Sequence, residues 1–215
     1  MTGTITPQQF HDADGVEDWR VLLRSACTRF DTGSFAAGLE LVNAIGGLAE
    51  EANHHPDVDL RYGSVTVRLT SHDVGQLSSR DADLARRISE AARERGVAAD
   101  PGAVSLTEVA VDALDIAAVR PFWLAVLGYG ESDAGDLEDP AGHGPTVWFQ
   151  EMDAPRPGRN RIHIDVAVPH DRADARVAAA VEAGGRVVRD RSPAWVTLAD
   201  PEGNEACIST WQGRD

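Results

Sequence analysis

Two stretches in the second half of the chain share one order of parts. "SLTEVAVDALDIAAVRPFWLAVLGY" (residues 105–129) and "RIHIDVAVPHDRADARVAAAVEAGG" (residues 161–185) each run strand, short turn, helix, glycine. Further short strand candidates follow each helix, ending in "TVWFQEM" in the first copy and in "RVVRD", "AWVTLAD" and "EACIST" in the second. Each copy therefore reads as βαβββ, and an internal repeat of this kind constrains the fold more than any local propensity does. It assigns residues 104–215 to one duplicated α+β unit. The preceding "VAADPGAV", residues 97–104, carries Asp-Pro-Gly and no sustained periodicity, as expected where one packed unit gives way to another.

Residues 1–98 are left to form a unit of their own, and 215 residues suffice for two compact domains of about 100 each. Residues 19–30, "WRVLLRSACTRF", are rich in strand formers, and Phe35, Leu39, Val42, Ile45 and Leu48 then recur at helical spacing. "VDLRYGSVTVRLTSH" reads as a hairpin turning at Tyr62 and Gly63, with Val65, Val67 and Leu69 alternating against Thr66, Arg68 and Thr70. Ser78 can cap a second helix whose Asp81 lies three positions on, and which runs to Gly96. The expected order is strand, helix, two strands, helix: an antiparallel sheet with helices on one face.

The formal net charge of −15 repels phosphate backbones and anionic membranes, so neither nucleic acid nor a membrane is expected as a partner. No apolar stretch approaches the roughly 20 residues that span a bilayer, and "MTGTITPQQF" lacks the basic front and apolar core of a secretory signal, which points to the cytoplasm. Every basic residue is arginine, which excludes Schiff-base chemistry and phosphate loops built on lysine. Cys27 and Cys207 lie on expected strands of different units and read as buried, reduced thiols.

The chemistry concentrates in "EEANHHPDVDL", residues 50–60. Pro56 disfavours helical geometry at His55, so the helix should finish at about Asn53 or His54 and leave both histidines at its end. There the partial negative charge of the helix C-terminus favours protonated imidazole by a few tenths to about 1 kcal/mol, near the pH where imidazole titrates. His72 continues the parity of Thr66, Arg68 and Thr70 and should project on the polar face. Three readings compete: histidines that merely cap carbonyls, a metal site, and proton-transfer groups. Adjacent histidines rarely point at one ion, which disfavours metal. Asp73 either orients His72 or starts the turn before the next helix.

"AEEANHHPDVDLRYGSVTVRLTSHDVGQLSSRDADLARRI" and the upstream "RFDTGSFAAGLELVNAIGGLAEEA" resemble the pterin-4a-carbinolamine dehydratases, whose pattern is a helix ending in Asn-His-His-Pro, a strand pair, then Thr-His-Asp. Ser71 stands where the family usually has Thr, and Gln76 where it often has a second glycine. The resemblance implies His54, His55 and His72 as the catalytic imidazoles, with His54 and His72 moving protons and His55 holding substrate. It further implies Pro56, Ser71, Asp73 and Val74 as substrate-binding positions, a pterin as substrate, no metal and no organic cofactor, and a homo-oligomeric assembly.

The duplicated unit resembles the glyoxalase-like members of the vicinal oxygen chelate superfamily, with "FWLAVLGY" and "DPEGNEACI" as recurring pieces. That superfamily places metal ligands on the first and last strands of each module. Here His163 occupies a first-strand position, but Leu106 stands opposite it in the first module, and Cys207 stands where a glutamate is usual, with Glu205 two residues earlier. Gln150 and Glu151 could offer oxygens. An incomplete ligand set favours His163 as a residue lining a cleft for an unknown small organic ligand. Trp123, Trp148 and Trp195 are core candidates, one or two of which could line a pocket between the modules; His143 and His170 should face solvent. The expected function is dehydration of a 4a-hydroxytetrahydropterin with an accessory ligand-binding second unit. The rivals are a metal-dependent lyase or dioxygenase centred on the second unit, and a non-catalytic binding protein.

Overall fold

The computed structural model describes residues 3–155, 158 and 162–213. The chain divides into two compact units, Met1–Leu106 and Thr107–Asp215.

In the first unit a short helix, α1 (Pro7–His11), is capped by Thr6 and Gln9 and buries Phe10. The run of strand formers that follows is not one strand. It folds back on itself as β1 (Arg20–Leu22) and β2 (Ser25–Asp31), with Leu22 opposite Ser25 and Arg20 opposite Cys27. Leu23 makes the turn by adopting a left-handed φ of 53°. Nothing in "VLLRS" carries the Gly, Asn or Pro that marks a turn, which is why the sequence pattern runs straight through it.

Ser34 caps α2 (Phe35–Ala52) by accepting from the Ala37 amide. Gly38 faces the sheet from α2, where a Cβ would stand 2.6 Å from Leu60 Cδ1, so the absence of a side chain lets helix and sheet approach. The hairpin β3 (Asp57–Arg61) and β4 (Ser64–Leu69) turns at Tyr62 and Gly63, with Arg61 opposite Ser64. α3 (Ser79–Glu94) follows, closed at its start by the Ser78–Asp81 capping box. β5 (Ala98–Ala99) then adds to β2, in part of the segment read as a linker. The sheet order is β1-β2-β4-β3 with β5 beside β2, antiparallel throughout. Val65, Val67 and Leu69 from β4 meet Phe30, Leu41, Ile45, Leu84 and Ile88 in one core. Such side chains contribute roughly 1.5–3 kcal/mol each when fully buried. Trp19 is fully buried, stands edge-on to Phe30, and donates from Nε1 to Ser89 Oγ at 3.0 Å.

The second unit is built twice. The first copy comprises β6 (Glu108–Ala113), α4 (Ile116–Leu127), β7 (Gly130–Glu131), β8 (Leu137–Glu138) and β9 (Thr146–Glu151). The second comprises β10 (Ile164–Ala167), α5 (Ala173–Glu182), β11 (Arg186–Arg191), β12 (Trp195–Ala199) and β13 (Glu205–Ser209). The sheets have the same order, β6-β9-β8-β7 and β10-β13-β12-β11, with first and last strands parallel. Both copies feed one core, in which Phe122 and Trp123 of α4 pack with Leu198 and Ile208. Buried Asp200 accepts from Trp123 Nε1 at 3.1 Å, and Glu202 beside it accepts from the Leu114 and Asp115 amides of the first copy. This reproduces the duplicated α+β architecture read from the repeat. Among the described residues no helix is long and apolar enough to cross a membrane.

Both cysteines are free and buried. Burial pushes the Cys27 thiol from an ordinary 9.0 up to about 11, against a smaller opposing pull from the Arg68 guanidinium. Because the folded value is the higher one, the unfolded chain ionises first: stability is fully present below about pH 9 and falls as pH rises toward about 11. Iodoacetamide at pH 9 is expected to leave Cys27 of the native protein unmodified over the time in which urea-unfolded protein reacts completely, as peptide mapping would read. Equal rates would place the thiol in solvent.

Candidate functional site

The histidine pair lies just past the end of α2, which stops at Ala52, one residue short of the earlier boundary expected from the sequence. Asn53 ends the helix in a left-handed conformation, φ 44°, and the His54 amide donates back to the Ala49 carbonyl at 3.1 Å. This reversal sends the two rings apart in character. His54 is 6 % exposed and its Nε2 lies 2.8 Å from Oδ1 of Asp81, which is fully buried. His55 is exposed, with Nε2 3.1 Å from Glu50 Oε1, so Glu50 is engaged by this histidine as well as by solvent.

β4 stops at Leu69, so His72 lies past the strand rather than on it, in a turn closed by a bridge between Ser71 and Gln76. His72, Asp73 and Val74 are exposed there and Pro56 is half-buried. Asp73 is paired with Arg80 of α3, and this hydrogen bond, opposed by some desolvation, holds its carboxyl below the ordinary carboxylate range. The His54 ring adds a smaller electrostatic pull on the same carboxyl, which sets the 71–74 turn beside His54. Pairing with Arg80 makes Asp73 a bracket between the turn and α3.

Asp81 joins these pieces. Its Oδ1 faces His54, while Oδ2 accepts from the Ser78 amide at 2.7 Å and from the Ser71 hydroxyl at 2.7 Å. Ser71 and Ser78 hydroxyls lie 2.7 Å apart, and Ser78 Oγ accepts from the Arg80 amide, so the Ser78 hydroxyl is free to donate to Ser71. The end of α2, the turn after β4 and the start of α3 are thereby tied at one carboxylate. In the sequence pattern Asp81 stands out only as a capping residue. The available signal was that a capping carboxylate needs one oxygen for the cap and keeps the other for a partner.

In the second unit a hollow of about 510 Å³ is lined by His163, Asp165, Val188, Arg189, Trp195, Thr197, Glu205 and Cys207. All belong to the second copy, so this hollow lies on one sheet and not between the modules. Register explains the grouping: parallel pairing of β10 with β13 sets Asp165 opposite Cys207, and antiparallel pairing of β12 with β13 sets Thr197 opposite Cys207. His163 Nε2 is 3.4 Å from Asp165 Oδ1. Cys207 Sγ is 3.2 Å from Thr197 Oγ1. Burial, with the Asp165 and Glu205 carboxylates reinforcing it against a Thr197 hydrogen bond, raises the Cys207 thiol. His163, Asp165 and Cys207 each offer one donor atom, all within 4.8 Å of one another, a nitrogen, oxygen and sulfur set that suits a zinc-class cation. Asp165 is the donor that the sequence reading missed. Trp123 is buried, Trp195 lines the hollow, and Trp148 is half-buried. Gln150, Glu151 and His143 are exposed, as is His170, which stands edge-on to Trp211.

The first unit thus holds a buried imidazole seated on a carboxylate, His54 on Asp81, and two exposed imidazoles, His55 and His72, on adjoining segments. Residues 4–91 match the family model described as pterin 4 alpha carbinolamine dehydratase, and residues 108–209 match that of a glyoxalase-like domain. A Nocardia farcinica protein provisionally named a pterin-4-alpha-carbinolamine dehydratase is 50% identical over 60 residues, 28% of this chain and 63% of its own length. A Chloroflexus aurantiacus protein of the same name is 40% identical over 73 residues, 34% of this chain and 78% of the relative. The chain belongs to the pterin-4a-carbinolamine dehydratase family. It spans just under two thirds of the Nocardia relative, and these two matches cover 28% and 34% of this chain. Among solved structures, a glyoxalase/bleomycin resistance protein from Albidiferax ferrireducens is similar at 21% identity and TM-score 0.38, covering 49% of this chain and 97% of that one.

Proposed function

We propose that the first unit dehydrates a 4a-hydroxytetrahydropterin, and that the second unit is an accessory module for a small ligand. The reaction breaks the bond from C4a to its hydroxyl oxygen, which leaves as water once protonated, while a base takes the proton from the adjacent ring nitrogen and a carbon–nitrogen double bond forms. Imidazoles suit both transfers near neutral pH. The observation that carries this reading is Asp81, bonded at once to His54 and to Ser71, the residue before His72. In this reading His54 and His72 move the protons, His55 holds the pterin, and Pro56, Ser71, Asp73 and Val74 shape its seat. The product leaves as a quinonoid dihydropterin, and a homo-oligomer in the cytoplasm is the proposed setting.

The donors His163, Asp165 and Cys207 favour one second reading, a metal-dependent lyase or dioxygenase centred on the second unit. In it those three residues would hold a cation that polarises a substrate oxygen. Stopped-flow dehydration by the intact chain, paired with elemental analysis of the same preparation, separates the two. Turnover well above the uncatalysed rate, persisting after chelation and gel filtration, is the expected result. A chain inert toward the carbinolamine that carries one metal equivalent would overturn it.

A further inference from the structure

The buried ring of His54 has two nitrogens with different surroundings. Nε2 faces Asp81 at 2.8 Å. Nδ1 has no hydrogen-bond partner among the described residues, yet no side-chain nitrogen or oxygen buried among those residues lacks one. Nδ1 therefore keeps some contact with solvent even though the residue as a whole is only 6 % exposed. On the other side, Asp81 receives donors only: the Ser78 amide cannot reverse its polarity, and the Ser71 hydroxyl is supplied from behind by Ser78. A carboxylate so placed accepts from Nε2–H, and in neutral imidazole a proton on Nε2 leaves Nδ1 as an acceptor.

We infer that Asp81 is a positioning residue that fixes His54 as the Nε2–H tautomer and turns Nδ1 outward as the proton-exchanging atom of the site. The inference rests on the dehydratase reading and extends it to a particular atom. When Nδ1 takes the proton from the pterin ring nitrogen, the ring becomes imidazolium with both nitrogens protonated. Asp81 then faces a cation across a bond already formed, so charge develops against a preorganised partner. The Asp81 carboxylate gains no proton in the step, and the imidazolium returns its proton from Nδ1 to the departing hydroxyl or to water.

Asp81→Asn tests this sharply. The Ser78 amide and Ser71 hydroxyl require an oxygen at the position of Oδ2, so the asparagine must turn its NH₂ toward His54. Nε2 must then accept, and the proton moves to Nδ1. Imidazole ¹⁵N–¹H correlation spectra of the full chain, assigned with a His54→Gln variant, should show Nε2 protonated in the wild type and Nδ1 protonated in Asp81→Asn. Single-turnover kinetics of the asparagine variant should show kcat lower by about two to four orders of magnitude with KM unchanged, the pattern of a wrong tautomer rather than a lost contact. Ser71→Ala keeps the carboxylate and should keep the wild-type tautomer. A wild-type ring protonated at Nδ1 would overturn the inference whether or not the asparagine variant folds, as would an asparagine variant with unaltered tautomer or turnover. If instead the spectra agree and the wild-type chain does not dehydrate the carbinolamine, the dehydratase reading fails and the tautomer assignment stands.

Discussion

His54→Ala and His72→Ala are each expected to lower the dehydration rate of the full chain by about two to four orders of magnitude, the loss typical of a missing general acid or base. The two variants should part company in stability. His72 is exposed in its turn, and its removal should change the unfolding free energy by no more than about 0.5 kcal/mol. His54 and Asp81 are 7 % and 0 % exposed at their side chains, so deleting the imidazole leaves one oxygen of a buried carboxylate without its donor, at a cost of about 1–3 kcal/mol. His54→Gln separates the effects: its amide can still donate to Asp81, recovering much of the stability while leaving no group that exchanges a proton near neutrality. Rates at 10 °C, with thermal melts of each variant, read both quantities. Unchanged turnover in both alanine variants would remove the imidazoles from the mechanism.

The largest expected effect on folding is at Trp19. Replacing it with alanine empties a fully buried site, removes the edge contact with Phe30 and leaves the Ser89 hydroxyl without its donor. The expected destabilisation is about 3–5 kcal/mol. Because the chain has two cores, a single melting temperature is a poor measure; amide hydrogen exchange in α3, which carries Ser89, reads the first core directly. Protection there should fall by about two orders of magnitude or more, at 1.4 kcal/mol per factor of ten. Trp19→Phe, which keeps most of the apolar volume, should fall between the alanine variant and the wild type. Exchange unaffected by the alanine substitution would mean that this indole is not part of the cooperative core.

The parts of this molecule that were legible in the sequence are those written as periodicity or repetition. The βαβββ duplication, the alternation of Val65, Val67 and Leu69, the hairpin turn at Tyr62 and Gly63, and the Ser78–Asp81 cap all follow from spacing along the chain. The features that escaped are set by neighbours far away in sequence. The turn at Leu23 uses a residue with no turn signature, stabilised by pairing of Ala26 and Cys27 across it. The second role of Asp81 depends on α2 delivering His54 from 27 positions upstream. Asp165 joins His163 and Cys207 only because β10 and β13 run parallel in one register. Local pattern could place each of these residues on an element, but no local pattern names the partner.

That register has a consequence for how much the second unit can carry. Glu108 and Asp165 both lie eight residues ahead of the first residue of their helices, α4 and α5, and the strand partner of Glu108 is Thr146 where that of Asp165 is Cys207. The architecture was copied, but its furnishing was not: one half offers sulfur and imidazole, and the other a hydroxyl and a leucine. Any guest gripped through an imidazole and a thiol in this way therefore finds, among the described residues, one berth in the second copy and no counterpart in the first, despite the twofold look of the fold.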